Sequence, residues 1–322
     1  MGMGDIKIQN VWKFNWKFLI ILDACRYDFF ENVYKKYLDG NVRKVYSRAS
    51  GTLEWVSKVF PDYYKDIIYI SANPFINSKI EVIKGDFRFD AKKHFYKVID
   101  VWNFGWDENK GSVHPMEVNK VFFKYLKKYK NYRFVLHYLQ PHPPYIGEKY
   151  SKYIDRSVLE NVKKVKSTTS PEKLDCIRKV SKIEKVVRKF RLRLSNKLFL
   201  HPYFEKRVYK LVTLVMPVIN KLSINMKFRL YRIFSFFFPL SLERMQLNTI
   251  LIHEGEKGVR NAYKENLELV LKYVKEVVEN VKGKILITSD HGELLGEYGY
   301  YTHPVSTFLP ENIVPWLEIE KK

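Results

Sequence analysis

Cysteine is nearly absent from this sequence, with Cys25 and Cys176 the only two. Two thiols build neither a disulfide framework nor a zinc cluster by themselves, and their scarcity in a Lys- and Ile-rich chain points to a reducing, cytoplasmic compartment. Long apolar runs are missing too. The longest, LVTLVMPVIN (211–220) and IFSFFFPL (233–240), are flanked by Lys and Arg and fall short of the ~18 residues a membrane span requires. The apolar stretch FLIIL after Lys17 ends at Asp23, too soon for a signal peptide. No internal repeat or low-complexity linker is present. Acidic residues are under-represented, 35 against 57 Lys plus Arg, for a formal charge of +22.

What is present excludes a disordered chain, because 46% hydrophobic and 16% aromatic residues are ample for a sizeable core. The charge is local. Residues 151–250 hold 23 basic and 7 acidic side chains, a net +16 that leaves +6 for the rest. On either side of that segment, runs of apolar, β-branched or aromatic residues recur: FLIILD (18–23), IIYISA (67–72), KVIDVW (97–102), RFVLHY (133–138) and KILITS (284–289). Each has the pattern of a strand buried on both faces. Helical segments lie between them, notably 26–38, 115–130 and 259–281, the last with Tyr263, Leu267, Val270, Leu271 and Val274 on one stripe. The alternation predicts an α/β fold, a largely parallel central sheet sandwiched by helices, with chemistry at the carboxyl ends of the strands. It pauses over the basic segment. The expected organisation is therefore one catalytic domain, 1–150 and 251–322, carrying a basic helical insertion, 151–250. Within the insertion, 155–196 reads as Lys/Arg-rich helix, and 202–242 is aromatic, apolar and basic at once.

The strand ends carry acidic and imidazole groups. FLIILD ends in Asp23, RFVLHY leads to His142, KILITS runs into Asp290 and His291, and His303 follows in YTHP. Hard oxygen and borderline nitrogen ligands on rigid elements are what a divalent-metal site needs. Each residue also has a plainer reading: Asp23 as a cap for the next helix, His142 as a loop residue, and Thr52 as an N-cap for LEWVSKVF.

Taken together, the segments carry a resemblance. SDHGELLGEYGYYTHP (289–304) resembles the C-terminal metal motif of the alkaline phosphatase/sulfatase superfamily, in the form seen in phosphoethanolamine transferases. LIILDACRYD and HYLQPHPPY resemble its first metal strand and its substrate-contacting segment, in the same chain order. The resemblance covers roughly residues 17–150 and 255–318, with VPWLEI as the closing strand, and omits the basic segment. It implies that Asp23, Asp290 and His291 hold a divalent metal, that Thr52 is the nucleophile at that metal, and that His142 and His303 contact the transferred group. Ser50 is the second candidate nucleophile. Sulfatases of the superfamily have C/S-x-P-x-R at the nucleophile and mature it to formylglycine. The stretch here is Thr52-Leu-Glu-Trp-Val, and threonine cannot undergo that conversion. The implied chemistry is hydrolysis or transfer of phosphate esters, with an arylsulfatase-like sulfuric ester hydrolase ranked below it. Zinc or manganese is preferred, with magnesium and calcium kept open. A second metal would have to draw on His303 with His137, Asp107 or His114.

The expected partner is an anionic ester substrate, lipid- or glycan-linked. The 202–242 stretch, with Lys221, Lys227, Arg229 and Arg232 among its apolar clusters, suits the surface of an anionic membrane, and hence a peripheral position at the inner membrane face. From a different class, a nucleic-acid or membrane binder with a vestigial metal site would also use the +16 interleaved with Tyr and Phe. No nucleic-acid motif accompanies it, so nucleic acid ranks below both the membrane reading and a plainer one of equal rank, a solvated basic helical lid packed on the domain.

Overall fold

The computed structural model describes residues 6–84, 87–154, 242–297, 301–303 and 309–322. The five apolar runs all become strands of one sheet. FLIIL forms β1 (Phe18–Leu22), and a strand not expected from the sequence forms β2 (Arg43–Tyr46). They are followed by β3 (Tyr64–Ser71), β4 (Phe95–Asp100), β5 (Arg133–Tyr138), β6 (Gly283–Thr288) and β7 (Ile313–Lys321), which contains VPWLEI. Their spatial order is β2-β7-β6-β1-β5-β3-β4. From β6 to β4 neighbouring strands are parallel, and β7 is antiparallel to both of its neighbours. Strands covered on both faces need apolar residues at consecutive positions, and all of β1 is buried.

Successive side chains serve opposite faces. Phe18, Ile20 and Leu22 join Phe134 and Leu136 in one core, while Leu19 and Ile21 join Tyr69 and Val135 in the other. Among the described residues the longer helices that cover the sheet are α1 (Tyr27–Val33), α2 (Thr52–Val59), α3 (Pro115–Lys128) and α4 (Leu242–Glu279). Phe30 of α1, Phe122 of α3 and Val270 and Val274 of α4 close the first core, and Leu53, Trp55 and Val56 of α2 close the second. α1 ends earlier than its apolar pattern suggests, tightening into a 3-10 turn at Tyr34–Lys36.

α4 differs most from its sequence pattern. The expected stripe from Tyr263 to Val274 is fully buried. Yet the helix reaches back to Leu242 across a kink at Gly255, whose φ of 67° glycine adopts without steric cost. The boundary drawn at 250/251 falls inside it. Leu247 and Ile250 pack with Tyr145 and Tyr150. Gln246 accepts from Tyr145 N–H (2.7 Å) and donates to Tyr145 O (2.8 Å). Residues 155–241 of the expected insertion, including Cys176 and nearly all of 202–242, lie outside the described residues. Among the described residues no helix is long and apolar enough to cross a membrane.

Candidate active site

The carboxyl ends of β1, β3, β5 and β6 converge on one edge of the sheet. Asp23 follows β1 directly, and Ala24 then turns the chain with a φ of 56°, a conformation that costs a non-glycine residue about 1–2 kcal/mol. The turn aims Ala24 N–H at Asp290 Oδ1 (3.2 Å) and Cys25 N–H at Ser289 Oγ (2.7 Å). It thereby ties the end of β1 to the end of β6. Asp23 is 2% exposed and Asp290 fully buried. Burial also pushes the Cys25 thiol up, helped by Asp28 and Asp290, which disfavours the reactive thiolate.

Thr52 is brought to the same point by α2, where it is the first helical residue. Gly51 holds the N-cap position, so the Thr52 side chain does not cap. Its hydroxyl instead donates to Asp290 Oδ2 at 2.8 Å. Asn73, just beyond β3, donates through Nδ2 to Asp23 Oδ2 (2.6 Å) and to Thr52 Oγ1 (3.2 Å). Ser50 lies elsewhere in its interactions, with its N–H (3.0 Å) and hydroxyl (3.2 Å) both directed to Glu54 Oε2. The acceptor is a side chain of the first turn of α2, so Ser50 secures the start of that helix.

Two imidazoles flank the carboxylates. His291 donates Nδ1–H to Gly292 O at 2.8 Å, since a carbonyl can only accept. Its Nε2 then faces Asp290 Oδ2 (3.5 Å) and Asp23 Oδ1 (3.6 Å). His137 is the second. It lies within β5, on the face shared with Val135 and Tyr69, and its Nε2 is 3.9 Å from both Asp23 Oδ2 and Asp290 Oδ2. The sequence gives His137 only a loose part in a second metal site, and Asn73 lies outside the residues it singles out. A histidine in a strand buried on both faces was the available signal, because such a side chain needs a polar partner. His114 and Asp107, two other loose candidates, serve locally: His114 Nδ1 accepts from Met116 N–H, and Asp107 Oδ1 accepts from Asn109 N–H.

The residues present fit a divalent cation. Asp23, His137 and Asp290 each offer one ligand atom, all within 4.8 Å of one another. Two ligands each about 2.0–2.1 Å from one zinc ion lie no more than ~4 Å apart, close to the 3.5–3.9 Å separations between the imidazole nitrogens and the carboxylate oxygens. His137 Nε2 is buried without a hydrogen-bond partner. Burial lowers the His137 pKa to about 4, outweighing the pull of Asp290, so the ring is neutral at pH 7 and able to ligate. Burial alone would raise Asp290, but the imidazoles, the Thr52 hydroxyl and Ala24 N–H hold it below the usual carboxylate range. Two carboxylates, two imidazoles and a hydroxyl suit zinc or manganese better than calcium, which takes oxygen ligands.

His142 and His303 stand together beside this cluster. His142 donates Nδ1–H to Pro143 O (2.6 Å), and its Nε2 is 3.2 Å from His303 Nε2. The His303 ring is 4.5 Å from that of His291, centre to centre. Asn266 of α4 donates to His142 O at 3.1 Å and so fixes the loop. On the outer side, the buried Arg26 binds Asp28, Glu293 O and Glu297, and Arg260 also reaches Glu297. Arg26 therefore pins the loop that follows His291 to the start of α1.

No known family profile and no curated protein matches the sequence. Solved structures do. The soluble domain of lipooligosaccharide phosphoethanolamine transferase A from Neisseria meningitidis is 12% identical at a TM-score of 0.50, over 95% of this chain and 76% of its own. The integral membrane form of that protein gives 0.49 at 12% identity over all of this chain, which spans about half (49%) of its length. A phosphonate monoester hydrolase from Silicibacter pomeroyi gives 0.43 at 13% identity, over 98% of this chain and 68% of its own. With its mostly parallel sheet between helices, the chain has an alkaline-phosphatase-like α/β fold, the fold of the Neisseria transferase's soluble domain.

Proposed function

We propose that this protein is a metal-dependent phosphoester hydrolase or phosphotransferase in which Thr52 is the nucleophile. One observation carries the reading: the Thr52 hydroxyl is buried at the start of α2 and donates to Asp290 Oδ2 at 2.8 Å, amid Asp23, His137 and His291. A divalent ion held by those side chains would favour the ionised hydroxyl and neutralise charge on the phosphoryl oxygens. Thr52 Oγ1 would attack phosphorus as the ester P–O bond breaks on the opposite side, leaving a phosphothreonine. Asn73 holds Oγ1 in place beforehand. Because His142 Nδ1–H is committed to Pro143 O, the proton between the paired rings belongs to His303 Nε2, with His142 Nε2 accepting. A bound substrate would take that N–H on a phosphoryl or leaving oxygen. Water completes hydrolysis, and an acceptor alcohol completes transfer. A lipid- or glycan-linked ester is in keeping with the substrate named for the Neisseria transferase. We propose further, from sequence alone, that 202–242 brings the site to anionic lipid.

The test is turnover of a chromogenic phosphodiester, phosphomonoester and sulfate ester by the zinc- or manganese-loaded protein. Thr52→Ala should lose roughly 10³-fold or more, and Ser50→Ala should stay within a few-fold of wild type. Full activity in Thr52→Ala, or turnover of the sulfate ester alone, would overturn the reading.

A further inference from the structure

His291 and His137 face the same two carboxylates, yet their distal nitrogens are held differently. A neutral imidazole can give a cation its Nε2 lone pair only when the proton sits on Nδ1, and the partner of Nδ1 decides whether it does. For His291 that partner is Gly292 O, a pure acceptor. For His137 it is the Tyr69 hydroxyl, 2.8 Å from Nδ1, which can donate or accept. We infer that Tyr69 is a positioning residue for the metal centre: its oxygen accepts the Nδ1 proton of His137, and so commits Nε2 to the cation held by Asp23 and Asp290.

Two observations support this. His137 Nε2 lies 3.9 Å from both carboxylate oxygens, too far for a hydrogen bond. An Nε2–H would therefore sit buried without an acceptor, whereas an Nε2 lone pair is satisfied by the ion. Tyr69 is itself held rigidly. It sits one strand away on the same face, with Ser71, not Tyr69, in register with His137, and its fully buried ring packs against Phe60 and Phe95. The inference rests on the metal-site reading of the proposed function, and adds to it a residue outside every motif in the sequence.

Tyr69→Phe keeps the ring and removes only the oxygen. Zinc affinity is measured by competition with a chromogenic chelator, alongside melting of the metal-free and zinc-loaded protein. The expected result is a 10- to 100-fold weaker zinc affinity, the usual effect of losing such a partner, and a smaller zinc-induced rise in melting temperature. Tyr34→Phe, which loses a hydroxyl bonded to Gly40 O away from the site, should bind zinc like wild type. If wild type binds zinc and Tyr69→Phe binds it equally well, the Tyr69 inference falls and the metal site stands. If wild type binds neither zinc nor manganese, both fall. Should Tyr69→Phe fail to fold, ¹⁵N spectra of the zinc-loaded wild type decide. A proton on His137 Nδ1 with zinc on Nε2 supports the inference, and a proton on Nε2 overturns it.

Discussion

At the scale of single residues, the site depends on one amide as much as on its charged groups. Asn73 Nδ2 serves two acceptors at once, Asp23 Oδ2 and Thr52 Oγ1, and so links the first carboxylate to the hydroxyl. Asn73→Ala should lower kcat/KM by about 10- to 100-fold, and cost about 1–3 kcal/mol of stability because a buried carboxylate oxygen loses its donor. Steady-state kinetics and urea unfolding of the variant check both effects, and unchanged kinetics would remove Asn73 from the machinery. Asp23, Asp290 and His291 were legible in the sequence because they immediately follow apolar strands. Asn73 and His137 were harder to read. Asn73 reaches Thr52 only through the packing of β3 against α2, and His137 was hidden in a strand because its role depends on which face of the sheet it takes.

At the scale of elements, the strands were legible because burial on both faces writes itself as uninterrupted apolar runs. β2 was not, since Arg43 and Lys44 are exposed and only Val45 is buried, so an edge strand lacks that pattern. The start of α4 was hidden for another reason: the kink at Gly255 breaks the 3.6-residue period. A second element-level device is the junction of α1, α4 and the 293–297 loop through Glu297. Burial alone would raise the Glu297 carboxyl, but Leu295 N–H and the Arg26 guanidinium hold it down at about 2. Its folded pKa is thus below the unfolded value. The stabilisation is complete above about pH 4.5 and is lost as pH falls toward 2. Acid unfolding of wild type and Glu297→Gln should show this, with wild type more stable at pH 7 by about 1–2 kcal/mol after allowance for solvent screening. The gap should narrow below about pH 4.5 and close only as pH falls to about 2. A pH-independent gap would assign the effect to packing.

At the scale of the whole molecule, the candidate site and the charge are separate properties of the chain. The +22 resides mostly in residues 151–250, whereas the site groups are acidic or neutral. If that segment meets lipid, binding of the full chain to vesicles containing phosphatidylserine should weaken at least tenfold between 50 and 200 mM salt, as measured by sedimentation. Binding to neutral vesicles of equal strength would rule out the electrostatic attraction. The strand order has a consequence of its own. β1 is made early but is flanked in the sheet by β5 on one side and β6 on the other, and Asp23 meets Asp290 only through that second neighbour. On the ribosome, the first strand therefore waits with one edge open until residues 283–288 emerge. A chain released before then carries the Thr52 segment without Asp290 and His291, and presents a bare apolar edge for chaperones or proteases to find.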